Sequence, residues 1–440
     1  MDNTLDYTDQ ASFLGLRALG HGPVIQYTWI YSHDVDLGAL RRFHRNLGYG
    51  ILGRRIERSP LPFGRHRWIA WAGPPDVVVS TAARPRSELT AWTDEQAAWP
   101  IDPEFGPSWR LAVQPFAGGE TAVTLVVSHT VADGVGIAVS VTDAAKGVTR
   151  NLGYPDGRSL PKRQVLLEDS RATVRALPEL ARALIAAIRV ARSNDAPASS
   201  GRLKAASSVE DPREVVTVPS VTAYLDARQW DECAESLGGT GNSLFLGLVA
   251  RLCMRLDWVE ADGTVTLSVP VSERTEGDTR GNALTAVRLT AHPTEVISDL
   301  RGVRAALKAA LSTQGEERNQ LVGPLPLVPV VPKALARRVE NMVVGGRLIG
   351  SSNLGLLDPA VNRPDGTDAD YFAVRMCERI DRAHLWRHAG VFFPVVGARV
   401  QGQLSISVGH TNADGSTTID QLLDALGGAL GDFGLSGLIE

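Results

Sequence analysis

Apolar positions along this 440-residue chain recur with two periods, and the switches between them mark its elements. The spacing predicts a short helix from Thr8, with Phe13, Leu14 and Leu16 on its apolar side, and a strand over residues 24–31. Asp36 then caps a helix that runs through Leu40, Phe43 and Leu47 and stops at Gly48. The β-branched run 121–127 predicts a strand, and Val135, Ile137, Ala138, Val139 and Val141 predict a buried helix a few residues behind it. Helical spacing of Val174, Leu177, Leu180, Leu184, Ile185 and Ile188 predicts a long helix from about 166 to 192. Its arginines (Arg171, Arg175, Arg182, Arg189 and Arg192) read as a solvated face in preference to a docking face for a carrier protein.

Residues 194–211, rich in Ser, Ala, Gly and Pro, read as a linker, after which the pattern restarts. Strands are predicted at 215–218, 223–226, 265–269, 283–289 and 404–408, and helices at 229–237, 243–256, 295–312 and 419–430. Both sides of the linker mix strands and helices. The fold class is therefore α/β or α+β in two halves: residues 1–193, a linker over 194–214, and residues 215–440.

The chemistry concentrates between the 121–127 strand and its helix. His129 stands at the strand end, followed by Thr130, Val131, Ala132, Asp133 and Gly134. Imidazole titrates nearest neutrality, so a histidine held by a sheet can take a proton from an attacking hydroxyl or amine. Asp133 can accept from backbone donors or pair with an arginine, and Gly134 leaves room for a close approach. The second half repeats the signature: a strand, His410, three residues, Asp414 and Gly415, then a helix. Two copies at matched positions read as the remnant of an internal duplication. His129 is the favoured base because its apolar helix begins at once, whereas the polar turn after His410 suggests a relic on the surface.

The stretch WPIDPEFGPSWRLAVQPFAGGETAVTLVVSHTVADGVG resembles the histidine-motif region of wax ester synthase/diacylglycerol acyltransferases, polyketide-associated acyltransferases and nonribosomal peptide synthetase condensation domains. All belong to the chloramphenicol acetyltransferase-like superfamily of thioester-dependent acyltransferases with an HxxxDG motif. TDQASFLGLRALGHGPVIQYTWIY, LSVPVSERTEGDTRGNALTAVRL and SSNLG (residues 351–355) resemble further stretches of the same families. Many members carry two adjacent histidines, whereas Ser128 precedes His129 here; the second histidine of the pair is the catalytic one.

The resemblance implies two chloramphenicol acetyltransferase-like halves forming a pseudo-dimer around a central channel. It also implies acyl transfer from a coenzyme A or phosphopantetheinyl carrier-protein thioester to an alcohol or amine. His129 would be the base, and Asp133 and Gly134 would be structural. By family analogy Arg288 is the partner of Asp133, with Arg274 as the alternative. Ser352 and Asn353 would lie beside the developing oxyanion, although a loop asparagine satisfying its own backbone is an equal reading of Asn353. The contrasting reading is a non-catalytic condensation-like module that binds a carrier protein or acyl ligand.

Composition narrows the remaining classes. A net charge of −4 with both signs interspersed gives no nucleic-acid footprint. Three scattered cysteines fit neither a disulfide framework nor a zinc site and suit a reducing cytoplasm. The polar, acidic N-terminus does not read as a signal peptide, and no apolar run reaches the roughly 20 residues of a membrane span. LVGPLPLVPVVPKAL, from Leu321, reads as a packed loop, with peripheral contact to lipid or an acyl chain as the alternative. His384 and His388 have metal-ligand spacing but no third ligand, so no metal is expected, nor any bound cofactor. Walker-type phosphate loops and dinucleotide fingerprints are absent from the sequence. A monomer is expected.

Overall fold

The computed structural model describes residues 3–157, 161–192, 215–216, 218–330, 349–378, 380–381, 393–412 and 415–440. The linker at 194–211 and the two histidines of HLWRH lie outside them. In the first half, α1 (Tyr7–Leu19) is capped by the Asp6 carboxylate and ends on Gly20, whose φ of 87° suits glycine. It is followed by β1 (Val24–Tyr31), α2 (Leu37–Leu47), β2 (Arg54–Glu57), β3 (Arg67–Ala70), β4 (Val78–Val79) and α3 (Leu89–Ala97). Then come β5 (Trp109–Pro115), β6 (Thr121–Ser128), α4 (Gly134–Ala145) and α5 (Lys162–Arg192).

The second half contributes β7 (Val215–Val216), β8 (Ser220–Asp226), α6 (Ala227–Ser236), α7 (Gly241–Arg255), β9 (Val265–Ser272), β10 (Leu284–Ala291) and α8 (Arg301–Val322). It continues with β11 (Ile349–Leu356), β12 (Tyr371–Cys377), β13 (Ile380–Asp381), β14 (Pro394–Val400) and β15 (Gln403–Gly409). A last helix, α9 (Ile419–Gly431), and β16 (Leu438–Ile439) close the chain.

Two sheets organise the molecule. The first runs β12-β1-β6-β5-β4 and the second β10-β9-β11-β14-β15-β8-β16. Every residue of β6 is buried and β1 is nearly so, as expected of central strands covered on both faces. Trp29, Phe43, Trp109, Leu125, Ile137 and Val141 fill one core; Phe245, Leu267, Val287, Val395, Ile406 and Leu426 belong to the other.

The halves are built alike around their histidines. β1 pairs antiparallel with β6, and β8 with β15. The backbone N–H of His129 donates to Pro23 O at 3.0 Å, and that of His410 to Pro219 O at 3.3 Å; each proline directly precedes the paired strand. The internal repeat read from sequence is thus also a repeat of strand pairing.

Three features depart from the sequence reading. Residues 293–298 form turns, and the helix expected from 295 begins at Arg301. Residues 351–355, read as a loop, lie in β11, where the register slips between Asn353 and Leu356. Strand β12, on the C-terminal side of the linker, pairs with β1 and so completes the first half's sheet. Arg375 of β12 reinforces this crossing by donating from Nε to Gln26 Oε1 at 2.7 Å. In the proline-rich stretch, Leu325–Val330 is a half-buried 3₁₀ turn against α1 and α5. Among the described residues, no helix is long and apolar enough to cross a membrane.

Candidate active site

His129 follows β6 directly and opens the turn into α4. The sheet fixes its backbone, a Val131 N–H to Ser128 O bond of 2.9 Å closes the turn, and Ser12 Oγ donates to Thr130 Oγ1 at 3.1 Å. Among the described residues the half-buried imidazole has one side-chain partner: Nδ1 lies 3.0 Å from Oδ1 of Asn282, a buried residue of the second half.

Asp133 serves two purposes with its two oxygens. Oδ1 accepts the Gly136 N–H at 2.7 Å and caps α4. Oδ2 accepts from Arg274 Nη2 and from the Ala283 N–H, both at 2.8 Å, so it ties the histidine turn to the second half. The Asp133 N–H also donates to Gly281 O at 2.9 Å. The two side chains of the ion pair are 4% and 7% exposed, which makes this a buried bridge.

The expectation of Arg288 as the partner of Asp133 is corrected to Arg274. Along β10 burial alternates with the two-residue period of a strand, and Arg288 falls on the solvent side. Arg274 lies just past β9 in the turn that folds back over Asp133, where its Nη1 also donates to Arg280 O at 3.0 Å. Arg288→Ala is therefore expected to change unfolding free energy by less than about 0.5 kcal/mol, as for an ordinary surface position. Chemical denaturation of the variant checks this.

A third anchor escaped the sequence reading. Asp9 of α1 is fully buried and accepts from the N–H of Gly281 at 2.8 Å, the N–H of Asn282 at 2.7 Å and Asn282 Nδ2 at 3.2 Å. Burial pushes its carboxyl up to about 6, against the pull of Arg54 and the two backbone donors. Arg54 is itself buried over the Trp68 ring at 3.8 Å and donates to Tyr154 Oη at 3.0 Å and Val131 O at 3.2 Å. Asp9 stands four residues before Phe13, hence on the buried stripe of α1; an aspartate on an apolar stripe was the available signal. Tyr27 completes the frame by donating to Gly134 O at 2.7 Å.

In β11, Leu354, the neighbour of Ser352 and Asn353, approaches the motif. A Cβ on Gly134 would stand 2.8 Å from a Leu354 methyl, so the two segments touch. The Asn353 carboxamide is engaged: Oδ1 accepts from the Gly355 N–H at 3.0 Å, and Nδ2 donates to Asn242 Oδ1 at 3.2 Å. A cavity of about 350 Å³ is lined by Tyr49, Ile51, Val135, Val139, Arg274 and Thr279. Gly136 and Arg274, two partners of Asp133, line it, whereas His129 is not part of its wall.

The sequence reading of His410 as a surface relic is corrected as to place. His410 is 1% exposed, with its ring set edge-on to Phe393 and Trp258 at 4.8 and 5.9 Å between centroids. The turn after it is longer, as read: the next helix is capped by Thr418, eight residues on, whereas Asp133 caps α4 four residues after His129. Asp414 lies outside the described residues. Burial holds the His410 imidazole down to about 4. Its folded-state pKa is thus below the ordinary 6.5, so protons bind the unfolded chain preferentially and stability falls as pH drops from about 6.5 to 4. His410→Gln is expected to flatten this part of the pH–stability profile, measured by denaturant melts at pH 7.5, 6 and 4.5. Asp9, raised to about 6, contributes the opposite slope in both proteins and drops out of the comparison.

Among the described residues, no cluster of three or more His, Cys, Asp or Glu side chains is placed to hold a metal. No protein-family model and no curated protein matches this chain in sequence. Solved structures do match it in fold. The first condensation domain of the calcium-dependent antibiotic synthetase aligns over 100% of this chain and 99% of its own, with a TM-score of 0.58 at 16% identity. The same domain in complex with a substrate analogue gives 0.59 over 98% and 96%. Polyketide synthase associated protein 5 from Mycobacterium tuberculosis gives 0.50 at 14% identity over 96% of each chain. The chain has the two-lobed α/β fold of condensation domains over its whole length.

Proposed function

We propose that this protein transfers an acyl group from a thioester to an alcohol or amine, with His129 as general base. The observation that carries the reading is the placement of His129. A partly accessible imidazole stands where the two lobes meet, its ring held by Asn282 of one lobe and its turn bound through Asp133 to Arg274. The condensation-domain fold supports this as analogy.

In this reading the acyl group arrives on coenzyme A or on the phosphopantetheine arm of a carrier protein, and the acceptor enters from the opposite side. His129 Nε2 removes the acceptor's proton as its oxygen or nitrogen attacks the thioester carbonyl carbon. The tetrahedral oxyanion collapses, the C–S bond breaks, and the leaving sulfur takes the proton from the imidazolium. Products are an ester or amide and a free thiol. Ser352 and Asn353 are the proposed oxyanion donors, supported by the contact of their strand with Gly134.

The test is a thiol-release screen over acyl-CoAs and acyl-carrier proteins, each with an alcohol and an amine acceptor, with mass spectrometry of products. Acceptor-dependent thiol release that requires His129 is the expected result. Binding of thioesters with no histidine-dependent release across the panel would overturn the reading in favour of a non-catalytic module.

A further inference from the structure

We infer that Asp9 is a positioning residue that decides which nitrogen of His129 carries the proton. The consequence for turnover rests on the acyl-transfer reading; the tautomer itself does not.

An ionised carboxylate only accepts hydrogen bonds. Asp9 Oδ1 accepts both the backbone N–H and the Nδ2 of Asn282, at 2.7 and 3.2 Å. That leaves one orientation for the Asn282 carboxamide. Turning it over would set its oxygen against a carboxylate oxygen in a buried site and abolish a hydrogen bond. Asn282 Oδ1 is therefore directed at His129, and an obligate acceptor 3.0 Å from Nδ1 requires N–H there. A neutral imidazole has one N–H, so Nε2 is left with its lone pair, the form a general base needs. Arg54 balances the charge of Asp9, and its bond to Val131 O holds the histidine turn from the same side.

The duplicate site lacks this arrangement. His410 Nδ1 faces the Thr417 hydroxyl at 3.2 Å, and a hydroxyl can donate or accept, so neither tautomer is imposed. The difference between the two histidines is thus written in their partners as well as in their exposure.

The experiment is long-range ¹H–¹⁵N correlation NMR of the full-length protein labelled with ¹⁵N-histidine, at pH 8, where Asp9 is ionised. His129 signals are assigned by their loss in His129→Gln. Wild type is expected to show the Nδ1–H form alone. Asp9→Ala frees the Asn282 carboxamide and is expected to bring in the Nε2–H form. Asp9→Asn is expected to retain Nδ1–H, because its amide oxygen can still serve both Asn282 donors and only the Gly281 N–H loses its acceptor. Should Asp9→Ala fail to fold, Asp9→Ser asks the same question while leaving a polar group for the backbone N–H groups. Asn282→Leu, which removes the acceptor at His129, is expected to mix the tautomers as well.

In turnover, Asp9→Ala is expected to lower kcat with KM unchanged and Asp9→Asn to restore it. A folded Asp9→Ala or Asp9→Ser protein that keeps pure Nδ1–H overturns the proposal. If the tautomer shifts but no substrate is turned over by wild type, the positioning role stands and the acyl-transfer reading falls.

Discussion

His129→Ala is expected to cut acceptor-dependent thiol release by about 10²–10⁴-fold, the range of general-base contributions, with little change in stability. The ring is half-buried and, among the described residues, makes one side-chain hydrogen bond, so its removal leaves little cavity and lets water reach Asn282 Oδ1. His410→Ala is expected to do the reverse. Its ring is 1% exposed and packed edge-on against Phe393 and Trp258 at the wall of a cavity of about 470 Å³, so an acceptor has far less access to it than to half-buried His129. Truncating it empties a packed aromatic site, at a cost of about 3 kcal/mol by comparison with core aromatic-to-alanine changes. Denaturant midpoints and thiol-release rates, both taken at 20 °C on the two variants, separate the cases. An active His129→Ala protein beside an inactive, folded His410→Ala protein would move the site to the second half.

Arg274→Leu is expected to be the most destabilising single change at the site, by about 3–5 kcal/mol, because it leaves the Asp133 carboxylate buried without its cation. Against a total stability of about 5–15 kcal/mol, that is a large fraction. Two N–H groups, from Gly136 and Ala283, still reach Asp133, so the cost comes from the uncompensated charge. Asp133→Asn in the Arg274→Leu background removes that charge and is expected to recover part of the loss, a coupling that a double-mutant cycle reads directly. Since the pair ties the histidine turn to the second half, Arg274→Leu is also expected to lower turnover in protein that remains folded. An Arg274→Leu protein within 1 kcal/mol of wild type would show that the bridge contributes little.

Much of the frame was legible because it depends on near neighbours in sequence. Caps such as Asp36 and the β-branched run ending at Ser128 act within a few residues, and β1, α2 and β6 lie where periodicity put them. Errors arose where a strand's role depends on a distant partner. β11 reads as a loop because Ser, Asn and Gly have low strand propensity, and it is held in the sheet by parallel pairing to β14 and β9. β12 joins a sheet whose other strands lie more than 240 residues earlier, and no local pattern carries that information.

The sequence by itself determined the two-part α/β organisation and the doubled strand–histidine–helix unit, and it singled out His129 and Asp133 as candidates. Each of these is set by residue type and short-range spacing. Only the tertiary structure decided what surrounds them. Arg274 displaced Arg288 because strand alternation sends Arg288 to solvent while the turn after β9 folds back over Asp133. His410 proved buried because Phe393 and Trp258, far apart in the chain, close over it. Asp9 reached Asn282 across 273 residues because a buried carboxylate must find donors wherever the fold brings them.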